Sequence, residues 1–352
     1  MRRLSEVAQG RDNNFTLIRL AAAVAVLVSH AVPLTQGRGV PEPLERWTGH
    51  SLGTLAVYVF FVASGFFVAG SLERRGVGGF VLARARRILP GLAVSLLLVT
   101  FVLGPLVTSL TLQAYLAAPG TAAFLVRGLL PLHPLYTLPG VFPDNPYPKV
   151  AGSIWTLAYE IVCYAALALA ALVPRGRGWA AWAMLAAYAL AWLAAAAAGP
   201  ALPEKLARLQ DLSLPFVLGV LAWHLRARIV LSGPLALGLA GLAVAAAGGP
   251  AGFPALILAL GYATLWAGYA PCAAGRALNR LGDYSYGVYI YAFPVQGLVV
   301  WWLGPHDPAL NVALALPATL VFAVLSWHLV ERPALQARRS PAGDAPRTLR
   351  GP

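Results

Sequence analysis

The chain has 352 residues, of which 59% are hydrophobic and only 11% charged, against about 25% charged in an ordinary soluble domain. Its 26 Lys and Arg outnumber 13 Asp and Glu, giving a net charge of +13. A disordered chain needs low hydrophobicity and is excluded, as is a soluble globule, which would expose too much apolar surface. No contiguous basic stripe or nucleic-acid-binding module accompanies the charge, so no nucleic-acid partner is expected. The two cysteines, Cys163 and Cys272, have neither a disulfide-framework nor a metal-ligand spacing, and no metal site is expected. What remains is an all-α polytopic membrane protein, its apolar residues facing lipid and its charges gathered in loops.

Apolar runs bounded by Gly, Pro and charge predict about ten spans, at 15–34, 52–72, 88–108, 154–173, 179–198, 212–230, 232–248, 252–270, 282–303 and 309–330. Residues 1–14 form a cytoplasmic arm, 15–333 the transmembrane domain and 334–352 a disordered basic cytoplasmic tail. The first run follows basic residues, but it contains Arg19 and His30 and lacks a small-residue cleavage pattern. It reads as a retained span rather than a signal peptide. With the N-terminus inside, Lys and Arg divide 19 cytoplasmic to 6 outside, Arg19 lying within the first span. The positive-inside rule therefore places both termini in the cytoplasm. The outer loop 109–153 is Pro-rich, and its apolar stretch 121–132 either lies along the membrane surface or dips into the protein. No internal repeat of the transporter kind is visible.

Ionisable groups inside spans cost about 2.5–3.5 kcal/mol each on the insertion scale, so they mark function or a paired structural contact. Arg19 and His30 are eleven residues apart in the first span, which puts them within ~20° of one helix face and ~16 Å apart along the axis. Taken singly, Arg19 also fits a snorkelling interface arginine and His30 a satisfied interior histidine. Glu160 lies about two turns into the span that enters at Trp155, at a depth near that of His30. There it either orients the His30 ring and stabilises its imidazolium or pairs with an arginine and holds helices together. Arg84 and Arg87 precede Pro90; three apart, they share a face if helical, and two forked guanidiniums suit a phosphate. Positive-inside topology alone is the competing account of both. Ser64, in Phe60-Phe61-Val62-Ala63-Ser64-Gly65-Phe66, has no nucleophile elbow around it and reads as a small residue for close helix approach. The tyrosines of Gly282-Asp283-Tyr284-Ser285-Tyr286-Gly287 fit an aromatic belt.

Together these segments resemble acyltransferase family 3, the integral-membrane acyltransferases of bacteria. The resemblance rests on Arg19 and His30 after Asn14-Phe15, on residues 60–66, on Arg84, Arg87 and Pro90, and on Trp155 to Glu160. It continues with Gly282, Ser285, Tyr286 and Tyr289 and ends at Glu331-Arg332-Pro333. One departure is Ala292, before Phe293-Pro294, where many relatives carry histidine.

The resemblance implies a bacterial inner-membrane enzyme that moves an acyl group, most often acetyl, from cytosolic acyl-CoA to a hydroxyl. The acceptor it implies is a sugar of a surface polysaccharide or a glycosylated small molecule. Acyl-CoA is a substrate, and no tightly bound cofactor is expected. In that frame Arg84, Arg87 and Arg19 bind the donor's phosphates, and His30 with Glu160 carries the chemistry. A secondary transporter or flippase using the same Arg, His and Glu is the competing class, and a catalytically silent sensing protein is the third.

Overall fold

A backbone in lipid has no water to bond, so apolar runs of this length must close their hydrogen bonds within helices. The computed structural model, which describes residues 2–8, 10, 12–130, 132–173, 178–199 and 202–337, is helical nearly throughout. The expected basic tail beyond residue 337 and residues 174–177, expected in a cytoplasmic loop, lie outside the described residues. Eight helices among the described residues are long and apolar enough to cross a membrane. The long elements are α1 (Phe15–Gln36), α2 (Leu52–Leu98), α3 (Trp155–Ala171), α4 (Trp179–Ala198) and α5 (Glu204–His224). After them come α6 (Gly233–Ala245), α7 (Gly252–Tyr269), α8 (Ser285–Leu303) and α9 (Pro308–Ser326). With 13 residues, α6 falls short of the roughly 20 that a straight crossing takes.

The expected loop 73–87 is not a loop. Helix fills it on both sides of one break and continues, through a π-helical stretch, to Val107, a total of 56 residues that would reach ~84 Å if straight, at 1.5 Å per residue. A hydrocarbon core is only about 30 Å thick. The break is Gly76, at φ 66° and ψ 175°, a conformation that glycine alone adopts without a Cβ penalty. Ser64 and Arg87, on either side of Gly76, line the same cavity, so the chain doubles back there. The span expected at 212–230 begins earlier, at Glu204, and stops at His224. The residues after it turn into a short antiparallel pairing in which Arg2 and Arg3 meet Leu231 and Val230. Leu4 is fully buried, so the N-terminal arm is anchored rather than free.

Burial ranks the helices. In α8, 67% of the apolar window is inside the protein, against 11% in α4, so α8 is the central post and α4 faces lipid. Helix α1 lies along α8 in the same direction: Arg19 meets Asp283 and His30 meets Phe293. Between α2 and α5 the backbones touch. A Cβ on Gly65 would lie 2.1 Å from Phe216 O, and one on Gly219 would lie 2.2 Å from Val62 O, the close approach that small residues permit in membranes.

The Pro-rich loop 109–153 dips into the protein. Its helices Leu112–Ala117 and Pro119–Leu129 bury Tyr115 and Phe124. The segment that follows folds inward, burying Leu138, Phe142 and Val150, with Asn145 Nδ2 donating to Gly297 O at 2.9 Å. As a result α3 starts recessed behind this loop, at the level of Phe293, whose ring would lie 2.3 Å from a Cβ on Gly152. Gly219→Ala is expected to push α2 and α5 apart and cost about 2 kcal/mol or more, read as a lower unfolding temperature in detergent. An unchanged temperature would show that the contact is slack.

Candidate active site

Two cavities lie along the α1–α8 seam. The inner one, about 140 Å³, is lined by Arg19, Ser64, Arg84, Arg87, Glu160 and Tyr164, with Tyr286 and Tyr289. Its anchor is Asp283, which accepts from Arg19 Nη2 at 2.9 Å and from Arg87 Nη2 at 2.8 Å. Arg87 Nη1 donates to Glu331 at 3.1 Å, and its guanidinium lies over the rings of Tyr286 and Trp327 at 5.6 and 5.8 Å. Glu331 is turned inward by the π-helical turn Trp327–Glu331, is 1% exposed and takes a second bond from Ser326 Oγ at 2.9 Å. Burial would raise the Asp283 carboxyl, but the Arg19 and Arg87 guanidiniums beside it prevail and hold it down to about 2. Arg84 differs from its neighbours. It makes no ion pair among the described residues, and its buried Nε has no hydrogen-bond partner.

Glu160 belongs to this inner group. Ser64 Oγ donates to its carboxylate at 3.0 Å and stands 2.8 Å from Tyr164 OH, which bonds the same carboxylate oxygen. The outer cavity, about 550 Å³, holds His30. The His30 ring meets Phe293 edge to face at 5.1 Å, and its buried Nδ1 has no hydrogen-bond partner. The expected pairing of Glu160 with His30 is therefore not formed. Counting turns from Trp155 assumes that α3 starts at the membrane surface. It starts recessed, level with Phe293 and hence with His30, so Glu160, eight residues beyond Gly152, lies ~12 Å further in.

Tyr289 and Val57 line both cavities. The Tyr289 hydroxyl donates to Ser153 O at 2.7 Å and stands 2.6 Å from Thr156 Oγ1, which fixes the ring between the two chambers. Ala292, beside this stretch, is 1% exposed. The Asn14-Phe15 pair of the first motif is structural: Asn14 Nδ2 donates to Ala267 O and Ala270 O at 2.8 and 2.7 Å, tying the start of α1 to the end of α7.

Sequence reasoning missed Asp283, Glu331 and Tyr289, and it missed that Ser64 is a partner of Glu160. A usable signal was present. Three arginines at the inner mouth need acids, and Asp283 and Glu331 are the acids in the matched segments nearest to them. Removing one partner of a buried pair strands the other charge, at about 3 kcal/mol. Asp283→Asn is expected to lose roughly that much stability. A carboxyl with a lowered pKa stabilises fully above its ordinary value of 3.8 and loses that contribution as pH falls through about 2. The difference in unfolding temperature between wild type and Asp283→Asn should therefore stay constant from about pH 5 to about pH 8; a difference that shrinks across this range would refute the ion-pair account.

The comparisons with known proteins point one way. A family model described as an acyltransferase domain matches residues 12–328. The chain is similar to "Nodulation protein 10" of Rhizobium leguminosarum bv. viciae, 30% identical over 96% of each chain. It is 29% identical to the "O-acetyl transferase" of Shigella phage Sf6, over 94% of this chain and 98% of that one. "Exopolysaccharide production protein ExoZ" of Rhizobium meliloti (strain 1021) is 30% identical, over 85% of this chain and 96% of its own. No solved structure matches. Matched from before α1 to beyond α9, and along nearly the full length of its relatives, the chain belongs to acyltransferase family 3.

Proposed function

We propose that the chain is an O-acyltransferase of the bacterial inner membrane that moves an acyl group, acetyl above all, from cytosolic acyl-CoA to a hydroxyl on a glycan or glycosylated molecule outside. In this reading the chain crosses the bilayer ten times with both termini in the cytoplasm. The two arms of α2 are the second and third crossings and α6 is the seventh. The 19 to 6 division of Lys and Arg supports that orientation, as does the parallel run of α1 and α8, the first and ninth crossings. The names of the relatives, an O-acetyl transferase and an exopolysaccharide production protein, support the reaction and the class of acceptor.

The observation that carries this reading is the meeting of the two cavities at Tyr289. A cationic chamber opens toward the cytoplasmic side and a histidine chamber toward the outside, so donor and acceptor can approach from opposite faces. Arg84, with no acid of its own, is the phosphate ligand, and the Asp283-bound Arg19 and Arg87 frame the site. The pantetheine arm has a reach of ~15 Å, that of four to five extended residues, which matches the ~16 Å between Arg19 and His30 along α1.

His30 takes the proton of the acceptor hydroxyl as its oxygen attacks the thioester carbonyl carbon. The tetrahedral intermediate collapses, the C–S bond breaks, and the imidazolium returns the proton to the departing thiolate. Glu160 acts at a distance from this step. Through Ser64 and Tyr164 it positions the wall of the donor chamber. Among described residues no group of three or more His, Cys, Asp and Glu is placed to hold a metal, and the scheme uses none.

With radiolabelled acetyl-CoA, His30→Ala is expected to lose transfer by about a thousandfold while still binding CoA. Arg84→Ala should raise the KM for acetyl-CoA roughly tenfold with kcat little changed. Glu160→Gln should shift that KM and leave the pH profile of kcat in place. Full activity in His30→Ala would overturn the catalytic assignment, and wild-type protein inert toward acetyl-CoA would favour a carrier.

A further inference from the structure

The cations of the outer chamber are left over once topology and ion pairing are satisfied. Outer loops are depleted in Lys and Arg, and in the orientation proposed above they hold six. Four of them, Arg38, Lys149, Lys205 and Arg208, converge from three separate segments on the cavity that holds His30. Lys149 and Lys205 are the only lysines in the chain. The acids on the same wall have other partners. Glu204 pairs with Arg208 at 2.7 Å, and Glu42 accepts from Ser29 and from Leu52 N. Glu45 accepts from Glu42 N at 3.3 Å.

Arg38, Lys149 and Lys205 make no ion pair among the described residues. Arg38 and Lys149 are instead held over one ring, that of Tyr147, at 5.5 and 5.2 Å, and Lys149 also lies 4.7 Å from the Tyr136 ring. Cation–π contact fixes a positive charge without neutralising it. Two like charges held at one aromatic ring, neither neutralised by an acid, both gain from an anion within reach of them, and the Tyr147 ring packs at 6.0 Å on Phe293, which in turn touches His30.

We propose that the acceptor is an anionic saccharide, its carboxylate or phosphate bound by Arg38 and Lys149 while a hydroxyl of the same molecule reaches His30. This inference rests on the proposed acyl transfer and deepens it. The anion has two sources of the same chemistry: an acidic sugar in the glycan, or the phosphate of a lipid-linked saccharide. Tyr136, Trp155 and Tyr159, also on the cavity wall, offer flat apolar faces for the sugar rings.

The test is direct binding to the purified full chain in detergent. Three probes are compared: a glucuronate-containing tetrasaccharide, a polyprenyl-phosphate-linked disaccharide and a neutral chito-tetraose. One of the two anionic probes should bind roughly tenfold or more tighter than the neutral one. The preference should fall between about 20 mM and about 500 mM salt, and which probe wins identifies the source of the anion. The double variant Arg38→Gln/Lys149→Gln should lose the preference, and Lys149→Arg should keep it, with CoA binding unchanged in both as a check on folding. Equal binding of neutral and anionic probes, binding of none of them, or a preference that survives the double variant overturns the inference.

Acetyl-CoA turnover on the same preparations separates the two proposals. Turnover that depends on His30 but shows no anionic preference sinks this one alone. An anionic preference with no turnover sinks the acyl transfer alone.

Discussion

One carboxylate holds the inner half of this protein together. Asp283 stands just before the central helix α8 and takes a guanidinium from α1 and another from the returning arm of α2. Glu331 adds a second acid to Arg87 from the far end of the chain. Guanidiniums drawn partly out of water gain most from an acid beside them, so these contacts favour the order in which the helices meet. They also explain why the three arginines of the smaller chamber are not equivalent. Arg19 and Arg87 serve the architecture while they shape the site, and Arg84 is the one of the three with no acid bound to it among the described residues.

The separation of Glu160 from His30 divides the work differently from a dyad of acid and imidazole side by side. The histidine sits in the larger chamber with an aromatic neighbour and no carboxylate bonded to its Nδ1. The glutamate sits in the smaller chamber with a serine and a tyrosine. Tyr289, pinned by Ser153 and Thr156, stands between them. Each chamber therefore has its own polar network, and residues from α2, α3 and α8 form the wall they share.

Much of the fold was legible because lipid imposes a strong rule on sequence. Ten apolar runs each fall on helix, and the charged residues that interrupt them, Arg19, His30 and Glu160, each line a cavity. Relative depth was not legible. It depends on where α3 begins, and that depends on a loop whose inward packing rests on contacts such as Asn145 with Gly297, far apart in sequence. Asp283 escaped notice for a related reason. Beside two tyrosines it resembles interfacial sequence, and its meaning emerges only when α1 and α2 bring their arginines to it. A reversal between the spans 52–72 and 88–108 was legible, but its sharpness was not: helix continues to either side of Gly76 even through Val77-Gly78-Gly79, and one glycine φ angle takes the place of a loop of fifteen residues.

In the proposed orientation the two chambers also thin the barrier that separates cytoplasm from exterior. With water entering from both faces, the transmembrane voltage would fall mainly across the short partition at Tyr289 rather than across the whole bilayer. Carrying one elementary charge over that partition would cost or release about 2.3 kcal/mol per 100 mV. In the proposed reaction the acyl group handed across it is uncharged, whereas the CoA phosphates stay on the arginine side. In the proposed reaction, then, the protein exports a chemical modification through a focused electric field without doing electrical work against it.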